Sequence, residues 1–224
     1  MIPKIIHYCW FGRKPKPQEV LDFIENWKAI CPDYTIKEWN EDNFDVNMMP
    51  FTKEAYKVKK YAFVADVCRL YALLNEGGIY LDTDVRLKKS FDQFLGLKSF
   101  IGKESPFTVG TAVIGAEKGC LWVQKFYDTY KNKHFITRRG LLNSLENTAI
   151  LTRLLNCNYP NYLDELKVYG IDYFCGKLYS SKQYVISPNT VAIHEFSGSW
   201  VKKEFGLVSR LANIYYRLSL QFFG

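Results

Sequence analysis

The chain has 224 residues, 48% hydrophobic and 17% aromatic, with 24% charged residues and a formal net charge of +7. That length suits one α/β domain with a sizeable core, and abundant apolar residues mixed with charges of both signs exclude a disordered chain. The positive excess favours anionic partners, whether nucleotide phosphates, nucleic acid or an anionic membrane surface, without choosing among them.

Cysteines stand at positions 9, 31, 68, 120, 157 and 175 with no Cys-x-x-Cys pair. This argues against a zinc site or a disulfide scaffold, and reduced thiols suggest the cytosol. Met1-Ile2-Pro3-Lys4 leads straight into a strand rather than a secretory leader, and no run has the ~18 uncharged apolar residues of a membrane span.

Lys4–Phe11 reads as the first strand, closed by Gly12 and the Pro15/Pro17 loop. Trp10 at its end is either a core aromatic or a ligand platform, and His7 is assigned a structural role. Gln18–Ile30 predicts an amphipathic helix burying Val20, Phe23, Ile24 and Trp27 and stopped by Cys31-Pro32. A strand follows over Tyr34–Trp39, then a loop at Asn40–Asn43 and a basic helix over Thr52–Lys60.

Tyr61–Leu74 is apolar almost all round and predicts a buried helix, interrupted only by Asp66 and Arg69 on one face. Gly77-Gly78 stops it, and Ile79-Tyr80-Leu81 forms a short buried strand that delivers Asp82 and Asp84 at its carboxyl end. In open α/β sheets that edge faces the ligand crevice. Two carboxylates one residue apart there suggest a hard divalent cation shared with a phosphorylated substrate. Taken singly, Asp66/Arg69 reads first as a satisfied intrahelical ion pair and Asp-Thr-Asp as a solvated turn. Because desolvation offsets most of a buried pair's attraction, a ligand needing both charges explains them better.

Arg86–Ser90 and the segment to Phe94 read as a connection, Phe100–Gly102 and Thr111–Gly115 as strands, and Glu104–Gly110 as a loop near the site. Leu121–Tyr130 predicts another amphipathic helix, and Asn147-Thr148 opens one reaching Leu155. Asn147 is either that helix's cap or a neighbour of the acceptor. Val191–Ile193 is a strand that delivers His194, a candidate third metal ligand with Asp82 and Asp84, with Glu195 as its competitor. Leu207, Leu211, Ile214, Leu218 and Phe222 recur at helical spacing, so 207–224 predicts an amphipathic helix that either packs on the domain or lies on an anionic membrane.

Ala65-Asp66-Val67-Cys68-Arg69-Leu70 followed by Gly77-Gly78-Ile79-Tyr80-Leu81-Asp82-Thr83-Asp84-Val85 resembles the signature of the small DXD-motif glycosyltransferases. That group includes bacterial capsular polysaccharide enzymes and the yeast initiating mannosyltransferase, with the glucosylating clostridial toxins more distant. The opening Ile2–Gly12 and the late His194–Trp200 are similar to the family's other two signatures. The resemblance implies a single GT-A type domain over 1–206, a Rossmann-like, nucleotide-binding, mostly parallel sheet flanked by helices. It implies retaining transfer of a hexose from a nucleotide sugar, UDP-linked by analogy, to a glycan acceptor that is lipid-linked in surface polysaccharide synthesis, with no role for nucleic acid. Asp66 and Arg69 would position the sugar, Asp82, Asp84 and His194 would hold Mn2+ or Mg2+, Trp10 would stack on the base, and Ser199 and Trp200 would hold the diphosphate. The protein would then be cytoplasmic, or peripheral on the inner face of the plasma membrane. Two other readings stand beside this one: an aspartyl-phosphate hydrolase using Asp82 and Asp84, and a non-catalytic sugar-nucleotide binding module.

Overall fold

A computed structural model describes residues 1–158, 162 and 164–197. Strands β1 (Ile5–Cys9), β2 (Thr35–Trp39), β3 (Gly78–Leu81), β5 (Ser99–Lys103), β6 (Val109–Ala116) and β7 (Leu166–Tyr169) form one sheet in the order β2-β1-β3-β6-β5-β7. The β2/β1, β1/β3 and β5/β7 pairs are parallel, and β6 runs antiparallel to both β3 and β5. The sheet is therefore mixed and mostly parallel, with β6 alone reversed.

Alternation along the strands divides the core into two layers, as a period of two requires. Ile79, Leu81, Phe100 and Val113 pack on one face with Phe23, Ile24 and Trp27 of α1 (Gln18–Ile30). Tyr80, Ile101 and Ile114 pack on the other face with Val64, Val67, Leu70 and Leu73 of α3 (Tyr61–Glu76). That second layer also contains Phe51 of α2 (Pro50–Lys57), Trp122 and Phe126 of α4 (Leu121–Asp128) and Leu151 of α5 (Asn147–Asn158). The basic helix predicted to reach Lys60 stops sooner because Lys59 takes the left-handed conformation, φ 59°, separating α2 from α3.

The stop after α3 requires glycine on two counts. Gly78 has φ +110°, and a Cβ there would lie 2.7 Å from the Ile5 carbonyl oxygen across β1. Here His7 is buried and structural: its Nε2–H donates to the Gly77 carbonyl at 2.7 Å, and its Nδ1 accepts from Trp39 Nε1 at 3.0 Å. Burial holds its pKa below the ordinary value, so it stays neutral.

The connection expected from Arg86 contains a strand. β4 (Val85–Leu87) pairs antiparallel with β8 (Ala192–His194), in register Val85↔His194 to Leu87↔Ala192. The other edge of β4 is occupied by α1: Asn26 accepts from Leu87 N–H at 2.7 Å and donates to the Leu87 carbonyl at 3.2 Å, and Trp27 Nε1 donates to the Val85 carbonyl at 2.7 Å. β7 and the one-turn α6 (Ile171–Phe174) were also not foreseen. The predicted C-terminal helix over 207–224 lies outside the described residues.

Where β5 pairs with β6, Gly115 lies opposite Phe100, and a Cβ at 115 would meet the aromatic ring within the core. Gly115→Ala is expected to cost ~1–3 kcal/mol and several degrees of melting temperature, because neither the ring nor the strand has room to move. Gly96→Ala, with open space around the added methyl, should melt as wild type does; circular dichroism melts compare the two.

Candidate functional site

The site is built at the carboxyl edge of the parallel strands, where Trp10 follows β1 and Asp82 follows β3. Beneath it lies Arg69, 4% exposed, which α3 presents toward the sheet together with Asp66, 9% exposed. Arg69 Nη2 donates to Asp66 Oδ1 at 2.8 Å. Its Nη1 donates to the Thr111 carbonyl of β6 at 2.7 Å and lies 3.3 Å from Asp82 Oδ1. The guanidinium stacks 4.5 Å over the Tyr80 ring, whose hydroxyl donates to Asp82 Oδ1 at 3.0 Å. Its Nε finds no hydrogen-bond partner among the described residues.

Burial works against charge on both members of this pair. Burial and the nearby Asp82 raise the Asp66 carboxyl to about 7, against the pull of Arg69. Burial likewise opposes the Arg69 charge, but Asp82, Tyr80 and Asp66 outweigh it and hold the guanidinium firmly protonated.

Asn147 completes this corner. Its Nδ2 donates to Asp66 Oδ1 at 2.5 Å while its Oδ1 accepts from Thr111 Oγ1 at 2.9 Å. The side chain is thus spent on Asp66 rather than on capping α5, which corrects the capping alternative. The first turn of α5 is closed instead by the Glu146 carbonyl, which accepts from Ala149 and Ile150 N–H. Thr111 and Tyr80 carry no sequence signal as site residues: Thr111 meets Arg69 and Asn147 from distant segments, and Tyr80 reads only as a buried strand aromatic.

Asp84 and His194 meet across the β4/β8 pair, with His194 Nε2 3.2 Å from Asp84 Oδ1. Ligand atoms of Asp82, Asp84 and His194 all lie within 4.8 Å of one another, and all three side chains are partly buried. Two carboxylates and an imidazole at this separation suit a small divalent cation with further positions left for oxygen ligands. Burial pushes the Asp84 carboxyl up, but hydrogen bonds from His194 and Ser197 N–H hold it below its ordinary value. Burial opposes protonation of His194, but Asp84 outweighs it, so the imidazole is raised above 6.5.

Glu195, the rival for the metal position, turns elsewhere. Its carboxylate accepts from Lys177 Nζ at 2.7 Å and Tyr184 OH at 3.0 Å, with Arg86 Nε 3.6 Å away. Trp10 is half buried, packed partly on the core, and its Nε1 donates to the Lys14 carbonyl at 2.7 Å. Ser199 and Trp200 lie outside the described residues.

Residues 17–101 match the family model for a glycosyltransferase sugar-binding region containing a DXD motif. This chain carries the sugar-binding region of the DXD-motif glycosyltransferases. The DXD region includes Asp66, Arg69, Asp82 and Asp84. An uncharacterized glycosyltransferase of Acanthamoeba polyphaga mimivirus is 40% identical over 106 residues, 45% of this chain and 42% of the relative. Inositol phosphoceramide mannosyltransferase 3 of Schizosaccharomyces pombe is 30% identical over 122 residues, 53% of this chain and 34% of the relative. The chain therefore spans well under half the length of these curated relatives.

Two solved structures share the fold. The PaToxG glycosyltransferase superposes with a TM-score of 0.57 at 21% identity, over 71% of this chain and 70% of that one. A glycosyltransferase involved in glycosylating the major capsid of PBCV-1 gives 0.52 at 12% identity, over 89% of this chain and 97% of that one. The fold is of the GT-A type expected from the DXD region.

A proton and a cation compete for His194, and the proton is held more firmly than on free imidazole. Stabilisation by Mn2+ should therefore be small at pH 6 and grow as pH rises through the raised His194 value. Calorimetric melts with and without Mn2+ across pH 5.5–8.5 measure it; His194→Ala is expected to flatten the dependence and reduce the shift at pH 8.

Proposed function

We propose that this chain transfers a hexose from a nucleoside diphosphate sugar to a hydroxyl of a glycan or glycolipid acceptor, with retention at the anomeric carbon. The observation that carries this reading is the convergence of Asp82, Asp84 and His194 beside the buried Asp66/Arg69 pair, within a DXD sugar-binding region. Asp82, Asp84 and His194 would hold Mn2+ or Mg2+, which neutralises charge building on the departing diphosphate.

The protein's own groups supply positioning. Arg69 and Asp66 are fixed by Thr111, Asn147 and Asp82, so their rotamers are set before a sugar arrives, and they grip the sugar hydroxyls and orient the ring. Trp10, at the same sheet edge, offers a half-buried ring for the base. The acceptor oxygen forms its bond to the anomeric carbon on the face from which the diphosphate oxygen leaves, and the acceptor proton passes to that departing phosphate. Ser199 and Trp200 are proposed to steady the diphosphate. The aspartyl-phosphate alternative needs a further acidic group at the cation with Asp82 and Asp84; Asp66, the acidic neighbour of Asp82, is instead held by Arg69 and Asn147.

The relatives' names point to mannose and to a ceramide acceptor, whereas the sequence resemblance points to UDP-sugars and surface polysaccharide. A lipid-borne acceptor is common to both, and a peripheral position on a membrane is part of the proposal on that ground. No helix among the described residues is long and apolar enough to cross one.

Donor hydrolysis with Mn2+ and no acceptor, across UDP- and GDP-linked hexoses, tests the reading. One donor should be turned over, and Asp84→Ala or EDTA should lower the rate by roughly 100-fold or more. Metal-dependent donor binding without any turnover would point to a non-catalytic binding module instead. Cleavage of a phosphomonoester through Asp82, with no donor bound, would overturn the transferase.

A further inference from the structure

Between α4 and α5 the chain makes a hairpin bridged at Ile136↔Leu142. Its base is braced: Phe135 is buried, Glu54 accepts from Ile136 N–H at 2.9 Å and holds His134 Nδ1 at 2.7 Å, and Asn143 N–H donates to the Phe135 carbonyl at 2.7 Å. The turn above it is closed by Thr137 N–H to the Leu141 carbonyl and Gly140 N–H to the Thr137 carbonyl, both 2.8 Å, with Gly140 at φ +75°. Every residue from Thr137 to Leu142 is exposed.

The tip reads Arg138-Arg139-Gly140-Leu141-Leu142. Leu141 is 66% exposed and Leu142 43%, and neither arginine has an acidic partner among the described residues. A single exposed leucine is ordinary on a protein surface, but two beside two unpaired guanidiniums, lifted on a braced turn, are not explained by packing.

We infer that this tip docks the protein on an anionic lipid surface. Leucines of this length enter the boundary between headgroups and acyl chains while the adjacent guanidiniums remain at the phosphate level, so one five-residue turn satisfies both zones of a bilayer. A nucleic acid would use the arginines and leave the leucines in water, and an apolar protein groove would leave the arginines without counter-charge. The excess of +7 on the whole chain adds a long-range attraction to the same surface. The hairpin leads directly into α5, whose first residue Asn147 holds Asp66, so docking would set the rim of the site against the membrane. The docking itself is independent of whether sugar transfer occurs.

Co-sedimentation of the full chain with phosphatidylcholine vesicles, with and without phosphatidylglycerol, tests this. Binding should require phosphatidylglycerol, weaken with added salt, and fall by roughly tenfold or more in either Leu141→Asp/Leu142→Asp or Arg138→Glu/Arg139→Glu. Both double variants change exposed side chains only, so their melting temperature and Mn2+ binding should match wild type and confirm folding. Absence of binding, equal binding to both vesicle types, or retention of binding by either variant overturns the inference. Self-association that is lost in the leucine variant, without vesicle binding, would instead assign the tip to a second copy of this chain.

Discussion

Most of this architecture depends on one buried cation. A guanidinium removed from water costs several kcal/mol unless anions and carbonyls replace its hydration, so the segments around Arg69 must supply them in fixed positions. Asp66 comes from the same helix, the Thr111 carbonyl from the reversed strand β6, and Asp82 from the end of β3. A single side chain therefore fastens the central helix to two neighbouring strands at the point where the sheet opens to ligand. Repositioning any of these elements would leave a charge stranded in the core.

The reversed strand has a second role. Because β6 runs against its neighbours, its first half passes the carboxyl edge of β3, bringing Thr111 beside Arg69 and Asn147. A fully parallel sheet would place the middle of a connecting loop there, with its backbone groups free to wander. The pocket floor is thus made from strand backbone and a buried amide, groups whose positions are set by the fold rather than by a loop.

Short-range patterns were legible in the sequence, and long-range pairings were not. α1 is legible over Gln18–Ile30 because Val20, Phe23, Ile24 and Trp27 repeat at helical spacing and Cys31-Pro32 ends the run. α3, its glycine stop and the strand carrying Asp82 and Asp84 were visible for the same local reasons. β4 is not legible because the alternation of Val85, Arg86 and Leu87 is too short to mark a strand and its partner is β8, far along the chain. Asn147 was ambiguous because an asparagine at a helix start usually caps it, and only the packing of α5 against β6 turns its amide toward Asp66. Asp82, Asp84 and His194 were grouped from their strand-end positions and from resemblance, and the geometry places the three together.

The two-stranded β4/β8 pair also sets the order in which the site can be assembled. Val85 lies against His194, so the imidazole reaches Asp84 only after nearly all of the described chain has been synthesised and brought back to pair with β4. Until then the nascent chain carries Asp82 and Asp84 close together with no imidazole to meet them, and the short β4 strand has only the side chains of Asn26 and Trp27 along one flank. Closing so long a loop is entropically costly, so the Asp82, Asp84 and His194 cluster is completed late, after the local elements that carry the two aspartates have formed.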